Sequence, residues 1–313
     1  MSMVIVFGSL NIDLIMKVKH QPVLGETVLT PTYEWLPGGK GCNQAVACAR
    51  SGVKTAMVGQ IGDDGFGTRI INTLKRDEVL ASGIARCDEE PTGMAFITID
   101  SSGDNQIVVA SGANRLTNAG QVPNEILGKD NVILMQMEVK AEENWDVIHR
   151  AKSAGGQTIL NLAPSGSVPR EVLNDLDYLI VNQIEGRQMA EKMGLTIEKS
   201  AVSLASKLAK TCDLTCIMTL GPKGCIAVKS DGSGWRVKAF DLGEDLADTT
   251  GAGDTFCGVF AGCVFKKLSL QETLRRSSIA ASLACRGVGA QTKMPLKDEI
   301  EEYLANIAEA EPL

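Results

Sequence analysis

The sequence Asp248-Thr249-Thr250-Gly251-Ala252-Gly253-Asp254-Thr255-Phe256 joins a turn of small residues to the start of an apolar helical pattern. That pattern predicts a helix buried on one side, through Phe256, Val259, Phe260, Cys263 and Val264. Gly251, Ala252 and Gly253 would form its first turn, whose free N–H groups attract anions. Asp254 is then either an acid favoured by the helix dipole or a base beside an anion, as phosphoryl transfer to a hydroxyl requires.

The length and composition of the chain favour one large α/β unit. The 313 residues are 44% hydrophobic, and helical and strand patterns alternate almost throughout, so we expect a single domain over residues 1–313. The net charge is −7 and there is no block of Lys or Arg, which disfavours nucleic-acid and membrane partners. We find no signal-peptide or membrane-helix pattern, and the nine scattered cysteines suit buried free thiols, so we expect a cytoplasmic protein.

Several predicted strands end in polar residues. Glu138, Asn182 and Thr219 each stand at the end of an apolar run. In open parallel sheets, ligands bind outside the carboxyl ends of the strands, so we expect these side chains to share one crevice with the turn at 251–254. The chain has no P-loop and no Gly-rich dinucleotide fingerprint, which disfavours a nicotinamide oxidoreductase.

Two segments break the regular alternation of strands and helices. Residues 14–37 lack helical periodicity and are richer in Pro and Thr. Residues 92–110 contain two strand-like runs around Asp100-Ser101-Ser102-Gly103-Asp104, which is a hairpin pattern. We therefore expect short strands in both segments.

Seven short motifs occur in order along the chain. They include Gly38-Gly39-Lys40-Gly41-Cys42-Asn43-Gln44-Ala45 and the 248–256 segment, and the others lie at 8–13, 62–64, 111–114, 182–185 and 219–221. By these motifs the chain resembles the ribokinase-like family of carbohydrate kinases, from about residue 4 to 305. The resemblance implies an α/β fold, a three-layer αβα sandwich with a mostly parallel central sheet. It also implies a small β-sheet lid, formed by about 14–37 and 92–110, that covers the sugar and often makes a homodimer.

The resemblance assigns roles to individual residues. Asp254 matches the catalytic base, and Gly251, Ala252 and Gly253 match the anion hole. The positions that match sugar-binding residues are Asn11, Asp13, Gly39, Lys40, Asn43 and Glu138. The positions that match the ATP site are Asn182, Thr219, Gly221 and Gly224, and Glu185 matches a residue that organises Mg²⁺ through water.

A monovalent cation, usually K⁺, is also implied beside the anion hole. Its ligands would be backbone carbonyls near Asp248, Thr250, Ala284, Gly287 and Gly289. Lys293 aligns where the family commonly has a small hydroxyl residue. Its compact ammonium would occupy or crowd the cation site, or Lys293 lies in solvent.

These observations together predict an ATP-dependent sugar kinase. We expect transfer of the γ-phosphate to a primary hydroxyl of a small sugar, with ribose giving ribose 5-phosphate. The alternatives are a fructose-type or adenosine-type kinase of the same fold, and a sugar-binding regulator without catalysis. Departures from the family pattern at 161–165 and at Ser278 leave the substrate preference open.

Overall fold

The computed structural model describes residues 2–197 and 199–313, which form 14 strands and nine α-helices. The strands are β1 (Val4–Phe7), β2 (Asn11–Lys17), β3 (Tyr33–Gly38), β4 (Thr55–Gly62), β5 (Leu80–Cys87), β6 (Gly93–Ile99), β7 (Asn105–Ala110), β8 (Val132–Met135), β9 (Gln157–Asn161), β10 (Tyr178–Asn182), β11 (Thr215–Thr219), β12 (Cys225–Val228), β13 (Gly234–Val237) and β14 (Glu311–Pro312). The helices are α1 (Lys40–Arg50), α2 (Gly65–Arg76), α3 (Ala141–Ser153), α4 (Arg170–Leu173), α5 (Gln183–Lys192), α6 (Ala201–Cys212), α7 (Ala252–Phe265), α8 (Leu270–Ala284) and α9 (Lys297–Leu304).

The main sheet has ten strands in the order β14-β13-β12-β11-β10-β9-β8-β1-β4-β5. Neighbours from β11 to β5 pair in parallel, while β12, β13 and β14 extend the sheet by antiparallel pairing. This confirms the mostly parallel central sheet. Strands β5 and β14 were not predicted.

Hydrophobic cores lie on both faces of the main sheet, as the alternation of side chains along β1 shows. Val4 and Val6 belong to one core, and Ile5 and Phe7 to the other. Helices α1, α2, α7, α8 and α9 cover the first core, and α3, α4, α5 and α6 cover the second. A sheet buried on both faces by helices is a three-layer αβα sandwich, which confirms the predicted fold class.

A small sheet, formed by β3, β2, β6 and β7 in that order, lies apart from the main one. The β3–β2 and β6–β7 pairs are antiparallel, and β2 and β6 pair in parallel. Its strands come from the two segments that break the regular alternation. The part between β2 and β3 contains no strand among its residues, all of which are described.

Helix α7 differs from the prediction in how far it is buried. The predicted apolar stripe is buried, but Gly258, Ala261 and Gly262 on the other faces are buried as well. The reason is that α7 packs against α1 on one side and α8 on another, besides the sheet. A side chain at Gly258 would place its Cβ 2.7 Å from Ala47 Cβ, and one at Gly262 would lie 2.5 Å from Ser51 Oγ. Glycine at these positions therefore lets α1 and α7 approach closely.

The cysteines have the surroundings predicted for them. All nine cysteines lie in the described part of the chain, and all are buried and free of disulfide bonds. Among the residues that the structure describes, no helix has the length and apolar character needed to cross a membrane.

Candidate active site

The turn that opens α7 is shaped by Gly251. This residue has a φ of 79° and caps the helix, and a Cβ there would lie 2.5 Å from the carbonyl oxygen of Ala290. Both the positive φ and the close approach require glycine. Around Gly253, in contrast, a Cβ would meet no atom within 4 Å. The first-turn N–H groups, which have no partner inside the helix, therefore border open space beside Asp254.

The carboxylate of Asp254 is held on both oxygens by neighbouring amides of α1. Asn43 Nδ2 donates to Oδ2 at 2.9 Å, and Gln44 Nε2 donates to Oδ1 at 3.0 Å. The Oδ1 of Asn43 in turn accepts from Gln291 Nε2 at 2.8 Å. Asn43 thus orients Asp254, and its predicted contact with the sugar stays a prediction.

The other predicted sugar residues surround the start of α1. Asn114 Nδ2 donates to Asn11 Oδ1 at 2.7 Å. Glu138 Oε2 accepts from Ser9 Oγ at 2.6 Å and from the backbone N–H of Lys40 at 3.0 Å. Gly39 caps α1 with a φ of 86°. A cavity of about 330 Å³ opens beside them, with lining residues that include Asn11, Ser111, Asn114, Met137, Glu138 and Lys140.

Electrostatic coupling joins five of the predicted residues. Burial raises the pKa of Asp13 to about 7, and the negative charges of Glu138 and Asp254 add to the rise while Lys40 opposes it. Asp254 in turn raises the pKa of Lys40 against the effect of burial, with further contributions from Glu138 and Glu185. The ammonium of Lys40 therefore lies in the field of carboxylates from β2, α5 and α7, which places these elements around one cleft.

The residues predicted for ATP lie at the neighbouring strand ends. Asn182 and Glu185 cap α5 reciprocally: Glu185 N donates to Asn182 Oδ1 and Asn182 N donates to Glu185 Oε2, each at 2.8 Å. Burial raises the pKa of Glu185, and the N–H of Asn182 opposes the rise. Thr219 lies opposite Asn182 in the register of β10 and β11. Gly221 and Gly224 flank the turn that follows, both with positive φ.

The predicted cation site is formed by two loops that are hydrogen-bonded together. Asp248 N donates to Cys285 O at 3.2 Å, and Gly289 N donates to Asp248 Oδ2 at 3.0 Å. Burial disfavours the charge of Asp248, yet bonds from Gly289 and Thr250 hold its pKa below the ordinary value. Lys293 is exposed, but its aliphatic stem lies against Gly287. The carbonyls predicted to bind the cation, including that of Ala284, therefore belong to adjacent segments.

Six polar residues take part in the site without having been assigned a role from the sequence. They are Ser9, Gln44, Asn114, Gln136, Asn161 and Gln291. Polar residues inside otherwise apolar strand and helix patterns are the signal that could have found Gln44, Gln136 and Asn161, because a buried amide needs hydrogen-bond partners.

The fold and the site define a class of protein. An acid on the first turn of a helix, facing polar strand ends, suits a kinase that phosphorylates an alcohol group. The chain belongs to the pfkB family of carbohydrate kinases, whose family model, described as "pfkB family carbohydrate kinase", matches residues 1–297.

Several ribokinases are similar to this chain over their full length. It is 34% identical to ribokinase of Bacillus subtilis strain 168 over 302 residues. The aligned region covers 96% of this chain and 98% of the relative. A crystal structure of ribokinase from Thermotoga maritima matches with a TM-score of 0.89 and 29% identity, over 98% of this chain and 100% of that one. Arabidopsis thaliana ribokinase complexed with ribose and ATP matches with a TM-score of 0.86 and 28% identity, over 97% and 98%.

Asp13 leads to a prediction about pH. Its pKa of about 7 means that the carboxylate, the form that accepts hydrogen bonds from sugar hydroxyls, is gained as the pH rises through 7. We expect the dissociation constant for ribose to fall about tenfold between pH 6 and pH 8, measured by calorimetry without ATP. Asp13→Asn should bind more weakly and lose this dependence. The exposed loop variant Asp231→Asn should keep it, and an unchanged dependence in Asp13→Asn would contradict the assignment.

Proposed function

We propose that this carbohydrate kinase transfers the γ-phosphate of ATP to the primary hydroxyl of ribose and forms ribose 5-phosphate. The observation that carries the proposal is the position of Asp254, which is 9% exposed on the first turn of α7 with amides of α1 on both carboxylate oxygens. Ribose and ATP as substrates are supported by the relatives named ribokinase and by the complex of one of them with both molecules.

Asp254 is the general base in this proposal. The sugar oxygen forms its bond to the γ-phosphorus while Asp254 takes the hydroxyl proton, and the bond from the γ-phosphorus to the departing ADP oxygen breaks. Charge that develops on the transferred group is stabilised by the first-turn N–H groups of α7. Asn11, Asp13 and Glu138 would bind the remaining sugar hydroxyls.

Mg²⁺ would be organised by Asn182 and Glu185. When bound, the ion neutralises charge on the phosphate oxygens. The donor set suits it, because Glu185 offers a half-buried carboxylate whose charge acts on Lys40 across the cleft. Mg²⁺ keeps most of its waters, so we expect Glu185 to act through water.

Lys293 would take the place of K⁺. The carbonyls of Asp248, Gly287 and Gly289 belong to the two joined loops, and the stem of Lys293 lies on Gly287. An ammonium close to these carbonyls supplies the charge that K⁺ would otherwise bring.

The small sheet would act as a lid over the sugar and as a dimer interface. Its edge strand β7 is exposed along its whole length, and Ile107, Val108 and Val109 are 54%, 68% and 47% exposed. Contiguous apolar side chains of this kind mark interaction surfaces, and a second copy of the small sheet is the partner that we propose.

Loss of the base tests the proposed function. Asp254→Asn should lower kcat with ribose by about 10²–10⁴-fold, the usual contribution of a positioned base, and leave ribose affinity within a few fold. ADP release is measured for wild type and variant with ribose, deoxyribose, fructose and adenosine. Near-normal kcat in Asp254→Asn would exclude the base assignment. Absence of wild-type turnover with every acceptor would favour the sugar-binding regulator.

The cation proposal has its own test. Wild-type rates in K⁺ and in tetramethylammonium should agree within about twofold, whereas Lys293→Ser should need K⁺, because a free carbonyl site then recruits the ion. The matched control is Lys297→Ser, because Lys297 is also exposed but lies on α9, outside the two joined loops. Strong K⁺ activation of the wild type would contradict the proposal.

The dimer proposal predicts a change of mass. Light scattering should give twice the 33.3 kDa of the chain for wild type and the single-chain mass for Val108→Glu, because a charge at an apolar contact is costly to bury. Leu296→Glu, an exposed apolar position next to α9 that is 57% exposed, is the control and should stay dimeric. A monomeric wild type would refute the interface.

A further inference from the structure

We propose that Gln44 is a positioning residue of the phosphoryl transfer: its buried side-chain amide fixes the carboxylate of Asp254 so that the free lone pairs face the cleft. The inference rests on the proposed function, since it concerns the base of that reaction. Gln44 is 0% exposed, so it acts on the reaction through Asp254.

The orientation of the Gln44 amide is set by a chain of hydrogen bonds that begins at the backbone. Asn161 Nδ2 donates to the carbonyl of Ile180 at 3.2 Å, and a carbonyl can only accept. The Oδ1 of Asn161 must therefore be the atom that faces Gln44, and it accepts from Gln44 Nε2 at 3.0 Å. The same Nε2 donates to Asp254 Oδ1 at 3.0 Å.

The opposite end of the amide also has a hydrogen-bond partner. Gln136 Nε2 donates to Gln44 Oε1 at 2.7 Å, so both polar atoms of the amide have partners and both hydrogens of Nε2 are used. A flipped amide would place its oxygen against two acceptor oxygens and its NH₂ against a donor. Gln136 is 0% exposed and Asn161 is 8% exposed, so water has little access to relax such an arrangement.

A neutral donor has a particular consequence for a base. Gln44 orients Oδ1 without bringing a positive charge, and Asn43 does the same for Oδ2. Each carboxylate oxygen keeps a lone pair that can accept the proton of the sugar hydroxyl. Neither amide is acidic enough to transfer its own proton to the carboxylate. Positioning of this kind matters because small displacements of a reacting group cost large factors in rate.

The contact of α1 with α7 holds this geometry from the backbone. The carbonyl oxygen of Gln44 lies against Gly258, one turn beyond Asp254. The same residue therefore touches α7 through its backbone and Asp254 through its side chain, which couples the separation of the helices to the orientation of the base.

Gln44→Met, which keeps the length of the side chain and removes its donors, tests the proposal. We expect kcat with ribose to fall about 10- to 100-fold, while KM for ribose changes less than about threefold because Gln44 is shielded from the cleft. In the Asp254→Asn background the same change should have almost no further effect on kcat. An unchanged kcat, or an equal loss in both backgrounds, would overturn the positioning role.

A stability control separates positioning from general damage to the fold. Asn131 is another buried amide, 6% exposed, whose side chain bonds only the backbone of Met3 and Ile126 within the described residues. Asn131→Leu and Gln44→Met should both lower Tm, but only Gln44→Met should lower kcat at a temperature where both are folded. Equal loss of kcat in the two variants would refute the proposal.

The pH profile tests whether the side chain of Gln44 contacts the base directly. Gln44→Glu places a second carboxylate at Oδ1, so the acidic limb of kcat should move upward by about one pH unit or more. In Gln44→Met this limb should move upward by less than in Gln44→Glu, because the carboxylate loses one hydrogen bond but meets no second charge. The other groups that act electrostatically with Asp254 are unchanged in both variants, namely Asp13, Lys40, Cys42, Glu185 and Cys257. An unmoved limb in Gln44→Glu would contradict the inference, whereas an inactive wild type would instead refute the function itself.

Discussion

The hydrogen bonds from the start of α1 to Asp254 are the interaction on which the site depends. They join residues 210 and 211 positions apart, so they exist only if α1 and α7 pack closely. Glycines at 258 and 262 allow that approach, and the first turn of α1 rests on the β1–β2 connection through the bond from Cys42 N to Ser9 O. The residues proposed as the base, the floor of the sugar site and the anion-binding turn are therefore joined by one helix contact.

Charge in the cleft is unbalanced in a way that suits the proposed substrates. Carboxylates at Asp13, Glu138, Glu185 and Asp254 act on one another and on Lys40. Hydroxyls of a neutral sugar can donate to such carboxylates without adding charge. In the proposed reaction the metal ion would bring positive charge to the Glu185 end, and the first-turn amides of α7 would complement the phosphates of the nucleotide. In this proposal the two halves of the cleft serve different chemistries.

The small sheet and the sugar site share residues. Asn11 and Asp13 lie on β2, and β3 ends at Gly38, directly before the cap of α1. Asp13 pairs with Leu36 in the register of these strands. A Cβ placed on Gly289 would lie 2.7 Å from Leu36 Cδ1, so Leu36 also packs against the loop of Gly289. The base of the small sheet therefore touches both the proposed sugar-binding residues and the predicted cation loops.

Local patterns in the sequence determined most of the strands, the start of α7 and the choice of Asp254 as the proposed base, because periodicity, a glycine turn and an acid in a fixed motif are properties of neighbouring residues. The order of motifs also determined the family. Only the tertiary structure decided that α7 is buried on nearly all sides and that Asn43 bonds to Asp254. It also decided that Gln44, Gln136 and Asn161 form one buried chain. These features depend on contacts between segments about 90 to 210 positions apart, and the partner of a buried amide is set by where the backbone brings it, which no local pattern records.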